Sequence, residues 1–234
     1  YIEAGNPGSN PKDMEFFKLV KDIKLNNSKL VAFGSTRKSD IKVEDDINIK
    51  SLIEAGTDVV SIFGKSSAFQ VTDILKTSLS ENLKMIEETI KYLKENDKEV
   101  IFDAEHFFDG YKENSEYAMS TLKVAKEAGA RTLVLCDTNG GTLPNEIKEI
   151  TSEVVKRFGN IIGIHCHNDI GMAVANSILS VESGISHIQG TFIGVGERCG
   201  NTNLSTVIPT IVLKMNIDIK AKEHLQDLTA KARY

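Results

Sequence analysis

Three phrases in the chain, "EAGTDVVSIF", "EAGARTLVLCD" and "ESGISHIQGTF", share one order: the end of a helical segment, a glycine, then a short apolar run. A glycine after a helix supplies the left-handed residue that closes it. A continuous apolar, β-branched run is the pattern of a parallel strand covered on both faces. Runs of this kind predict strands at Tyr1–Ala4, Lys29–Phe33, Val59–Phe63, Val100–Asp103, Thr132–Cys136, Ile161–His165 and His187–Ile193. Helical periodicity between them predicts Asp13–Lys24, Asp45–Ala55, Ser80–Glu95, Ser115–Ala128, Asn145–Phe158, Met172–Ser183 and Leu204–Met215. Gly129, Gly159 and Gly184 stand 30 and 25 residues apart, a weak repeat of one βα unit. "SLSE" at Ser78–Glu81 has the capping-box spacing, and Pro144 suits a first helical turn.

Tandem βα units build a parallel sheet with helices outside it. A (β/α)8 TIM barrel takes about 250 residues and eight strands. With 234 residues and seven visible strands, the expectation is an α/β barrel that lacks its first βα unit. No linker or low-complexity segment divides the chain. It is therefore expected to be one catalytic barrel domain, 1–234, and a piece of a longer polypeptide. An open doubly wound sheet is the rival, weakened by the lack of G-x-G-x-x-G after an early strand.

Composition narrows the function classes. The net charge of −5 argues against nucleic acid or an anionic membrane as main partner. No apolar run reaches the length of a membrane span. Cys136, Cys166 and Cys199 are odd in number, widely spaced and outside any C-x-x-C. That fits a reducing, cytoplasmic compartment.

Barrel enzymes carry their chemistry at the C-terminal strand ends, and here those ends are the polar places. "GIHCHND" puts His165 and His167 two apart. Strand alternation sends both to one face, their Cα atoms roughly 6.5–7 Å apart. Two imidazoles so placed either converge on one cation or line the barrel mouth as hydrogen-bonded polar groups. Cys166 then points to the helix layer. In "FDAEHFFDG", Asp103 and Glu105 share a face, where each would raise the other's proton affinity if both were desolvated. Glu105 is the candidate general base or acid, against an ion pair with a lysine across the barrel. Asp137 and Thr138 either orient a substrate carboxylate or, for Asp137, pin a neighbouring strand. "GVGERCGN", Gly194–Asn201, is either a ligand-approaching loop or a plain turn in which Glu197 pairs with Arg198. Asn201 either offers an oxygen to a metal or caps the last helix. Arg37 either meets an anionic substrate or closes a rim salt bridge. His106, His187 and His224 are read as non-ligands.

"GIHCHNDIGMAVANS" with "GTFIGVGERCGN" resembles the metal-dependent acyl transferases that include the 2-isopropylmalate, homocitrate and citramalate synthases. "FDAEHFFDGY" and "VLCDTNGGTLP" are most similar to its citramalate-forming branch. The resemblance spans the whole chain. It implies a divalent metal ion (Zn, Mn or Mg) held by His165 and His167, with Asn201 completing the shell. It implies Glu105 as catalytic residue, Thr138 on the 2-oxo acid carboxylate and Asp103 facing substrate. Its substrates would be acetyl-CoA and a 2-oxo acid. Pyruvate would give citramalate, which feeds isoleucine synthesis; isopropylmalate or homocitrate formation, a related carbon–carbon lyase or aldolase, and an inactive barrel fragment are the alternatives. The family's first strand carries an Arg-Asp pair, with Asp on the metal, that has no counterpart here. Nor does its C-terminal regulatory segment. This chain alone is expected to bind metal weakly and not to turn over. Strand edges left unpaired at the gap point to a homodimer.

Overall fold

A computed structural model describes residues 1–233. Seven strands run in hydrogen-bonded order, β1 (Ile2–Glu3), β2 (Leu30–Ser35), β3 (Val59–Lys65), β4 (Glu99–Glu105), β5 (Thr132–Asp137), β6 (Ile162–Cys166) and β7 (His187–Gln189). The helices are α1 (Pro11–Val20), α2 (Ile47–Glu54), α3 (Leu79–Glu95), α4 (Phe107–Glu113), α5 (Ser115–Glu127), α6 (Pro144–Phe158), α7 (Ala173–Glu182), α8 (Leu204–Leu213) and α9 (Leu228–Arg233). Two compact units divide the chain, Tyr1–Val134 and Leu135–Tyr234.

In the first unit β1 to β4 are parallel and in simple register: Val31 lies opposite Val59, and Val59 opposite Glu99. Their outward row and α3 meet in a dry core of Val60, Ile62, Ile86, Ile90 and Phe102. The buried positions of α3, Asn82, Met85, Ile86, Thr89, Ile90 and Leu93, recur at the spacing of one helical face. Burying each large apolar side chain fully contributes about 1.5–3 kcal/mol. Ser78 caps α3 by accepting from the Glu81 N–H at 3.1 Å. Glu81 does not complete the expected box, because its carboxylate is drawn to Arg37 at 2.9 Å.

In the second unit β6 and β7 are parallel, with His165 opposite Gln189. Helix α6 buries Ile147, Ile150, Val154 and Phe158, and Pro144 opens it. Helix α7 packs a small polar face instead, Asn176, Ser177 and Ser180. Most of those groups are satisfied locally: Asn176 Nδ2 donates to Thr142 O and Ser180 Oγ to Asn176 O, each at 2.9 Å, while Asn176 Oδ1 is buried without a hydrogen bond.

Some boundaries differ from the sequence reading. Helix α1 starts earlier and stops at Val20, because Asn10 accepts from the Asp13 N–H and Pro11 takes the first turn. The strand expected to reach Ile193 ends at Gln189. Beyond it the Thr191 N–H donates to Thr202 O, and a Cβ on Gly190 would lie 2.5 Å from that oxygen. The π-helical turn Gln70–Ile74 and helix α4 escaped the sequence reading altogether.

Candidate metal and acid–base site

The second unit brings the two histidines together. Their rings share one strand face with centroids 5.1 Å apart. His165 Nδ1 lies 2.8 Å from Gln189 Oε1 on β7. An amide oxygen only accepts, so Nδ1 carries the proton and Nε2 keeps its lone pair. Asn201 Nδ2 reaches that Nε2 at 3.1 Å. Turning the amide over would present Oδ1, a donor suited to a hard cation. The helix cap considered for Asn201 belongs to Asn203, which accepts from the Ser205 N–H. His167 Nδ1 is buried without a hydrogen-bond partner. Burial, then the neighbouring His165 and Arg198, push its pKa down to about 4, so the ring is neutral as a metal ligand must be. Cys166 points the other way, towards Ser177 of α7, and burial with nearby Asp137 holds its thiol well above the usual range.

Loops around this pair are tied by Arg198. Its Nε and Nη2 bind the two Asp169 oxygens at 2.8 and 3.0 Å, and Nη2 also donates to Thr138 O at 2.7 Å. Glu197, the partner expected from sequence, is further at 3.5 Å. The Asp137 carboxylate accepts from Thr142 Oγ1 at 2.8 Å, and its carbonyl accepts from the His167 N–H at 3.2 Å. Two glycines make room: a Cβ on Gly196 would fall 1.8 Å from Asn201 Oδ1, and one on Gly140 2.5 Å from Asp169 Oδ2. Gly140 also has φ +61, which an L side chain rarely adopts.

The first unit holds the carboxylates. Glu105 Oε2 lies 2.5 Å from Lys65 Nζ, its register partner on β3. That oxygen has no aligned hydrogen bond, so the contact is an ion pair rather than a directed bond. The lysine is on the adjacent strand, not across the barrel. Asp103 is buried and accepts from Ser61 Oγ at 2.9 Å. The carboxylate that feels Asp103 is Glu3, which sequence reasoning passed over. Desolvation, then Asp103, raise the Glu3 carboxyl to about 8. Glu3 is exposed, so water tempers that rise. Arg37 is structural: 3% exposed, it binds Glu81 and Glu88 of α3 at 2.9 and 2.7 Å and the Lys38 carbonyl at 2.9 Å.

The donor set suits a divalent cation in kind: two imidazoles, one with its tautomer fixed by an outer hydrogen bond, and an amide. No group of three or more His, Cys, Asp or Glu side chains able to hold a metal exists among the described residues. Asp169, the carboxylate nearest in sequence, is taken by Arg198. Gln189 was missed in the sequence, although period-two alternation from His187 puts it on the inner row.

Seven βα units in sequential order are the architecture of a (β/α)8 barrel, of which this chain contributes seven. 3-Hydroxy-3-methylglutaryl-CoA lyase of Bacillus subtilis has the same fold, with a TM-score of 0.79 at 19% identity over 99% of this chain and 77% of that one. The HMGL-like family model matches residues 1–233, and the chain belongs to that family. It is 54% identical to the (R)-citramalate synthase of Aquifex aeolicus, over 100% of this chain and 44% of that protein. Against the (R)-citramalate synthase of Sulfolobus acidocaldarius the values are 51%, 100% and 45%. The chain thus spans less than half the length of these curated relatives.

Proposed function

We propose that this chain is the barrel part of an acyltransferase that condenses acetyl-CoA with pyruvate to citramalate, in branched-chain amino-acid biosynthesis. The observation that carries the reading is the pair of imidazoles on one strand face, with His165 oriented by Gln189 at its Nδ1. Identity of 51–54% to two (R)-citramalate synthases supports the choice of 2-oxo acid.

His165, His167 and Asn201 would hold the divalent ion (Zn, Mn or Mg). Bound there, it supplies Lewis acidity towards the keto oxygen of the 2-oxo acid. Thr138 orients the 2-oxo acid carboxylate, and Asp103 faces substrate. Glu105 takes a proton from the acetyl methyl, directly or through one water, with the Lys65 ammonium as fixed positive charge beside it. The methyl carbon then bonds to the keto carbon. Hydrolysis of the thioester releases coenzyme A and the 2-hydroxy diacid. No described helix is long and apolar enough to cross a membrane; we place the reaction in the cytoplasm. A homodimer is proposed as well, since β1 is only two residues long and ends the strand order.

Thiol release decides the matter. The natural polypeptide containing these residues is given acetyl-CoA with pyruvate or with 3-methyl-2-oxobutanoate. Release with pyruvate is expected. Release with the branched acid alone would point to isopropylmalate formation, and none with any 2-oxo acid would end the acyltransferase reading.

A further inference from the structure

Three strand exits of the second unit are laced to one another. The His167 N–H donates to Asp137 O and the Ile170 N–H to Gly140 O, each at 3.2 Å, which joins the exit of β6 to that of β5. The Asn168 N–H donates to Gly200 O at 2.9 Å, and His167 bridges Asn201, which joins it to the segment beyond β7. One side chain spans all three. Arg198 holds both Asp169 oxygens at 2.8 and 3.0 Å and the Thr138 carbonyl at 2.7 Å. Every anchor of this clamp lies at a candidate site residue. Asp169 follows His167 by two positions, the carbonyl is that of Thr138 itself, and Arg198 precedes Asn201 by three.

Folding stability is a poor account of the clamp. The Arg198 side chain is 42% exposed and that of Asp169 25%, and ion pairs so open to water contribute little to folding. Arg198 also has φ 54, the left-handed region in which a side chain costs energy. Such strain concentrates where geometry serves function. Gly200, two residues on, has φ +94, and a Cβ there would fall 2.2 Å from Gly194 O.

We propose that Arg198 is a positioning residue for the 2-oxo acid. Through Asp169 it fixes the loop that follows His167, and through the Thr138 carbonyl it fixes the residue that orients the substrate carboxylate. The assignment rests on the acyltransferase reading and deepens it. Three hydrogen bonds from one planar guanidinium set how Thr138 stands relative to the two imidazoles. Lysine keeps the charge but has a single nitrogen, so it cannot hold both loops in this geometry.

Steady-state kinetics of the natural polypeptide test this with Arg198→Lys, Asp169→Asn and the double variant. Each single variant is expected to melt with the wild type and to lower kcat/KM for pyruvate by about 10–100-fold, chiefly through KM. The KM for acetyl-CoA is expected to stay as it is. Both substitutions break the same clamp, so the double variant is expected to be no worse than either single one. An arginine that touched substrate directly would leave Asp169→Asn close to the wild type or make the two losses add, and either result overturns the assignment. So does a fall in kcat and melting temperature with both KM values unmoved, which is the mark of lost folding. Should Arg198→Lys fail to fold by circular dichroism, Asp169→Asn carries the test: a raised KM for pyruvate alone supports the clamp and an unchanged one ends it. A wild type that releases no thiol with any 2-oxo acid overturns the assignment together with the reaction.

Discussion

A histidine that is to hold a metal must be neutral and must be aimed, and Gln189 aims His165. Removing such an outer partner typically costs 10–100-fold in metal affinity. Gln189→Leu in the natural polypeptide is therefore expected to keep its melting temperature but bind Mn or Zn 10–100-fold more weakly by calorimetry; unchanged affinity would remove the role. Glu3 governs a pH effect instead. Its carboxyl is raised above 4.5 by desolvation and by Asp103, so above that pH the folded chain holds a proton that the unfolded chain has released. Stability must then fall as pH rises beyond it. Glu3→Gln has no proton to lose. Its melting temperature is expected to match the wild type near pH 4 and to exceed it at pH 8.5. A difference that shrank with rising pH would contradict the assignment.

At the scale of elements, two close fits decide stability. Gly110 of α4 sits where a Cβ would be 2.2 Å from Ser66 O and 2.6 Å from Ser67 Cα, both backbone atoms that do not swing aside. Gly110→Ala is expected to destabilise by about 1–3 kcal/mol through overpacking, read from urea unfolding. Ser78→Ala removes the α3 cap and should cost about 1 kcal/mol. Here the capping signal was legible in four letters of sequence, but only its first half formed. Glu81 was diverted by Arg37, which comes from a segment more than forty residues away.

For the molecule as a whole, the proposed cation ligands are two imidazoles and one amide, and no group of three or more His, Cys, Asp or Glu able to hold a metal exists among the described residues. The 234-residue chain by itself is expected to bind Mn or Zn weakly and to release no thiol from acetyl-CoA; tight stoichiometric binding would show a complete ligand shell within it. The order of the strands and of the helices between them, α4 and α9 apart, the polar strand ends and the shared face of His165 and His167 were all determined by sequence. Periods of two and 3.6 residues are local properties, and a pair two apart on a strand shares a face whatever surrounds it. Partner choice was not local. Gln189 against His165, Lys65 against Glu105, Asp169 against Arg198 and Asn203 rather than Asn201 as the cap depend on strand register and loop closure. Those are fixed only when distant segments pack, and so only the tertiary structure decided them.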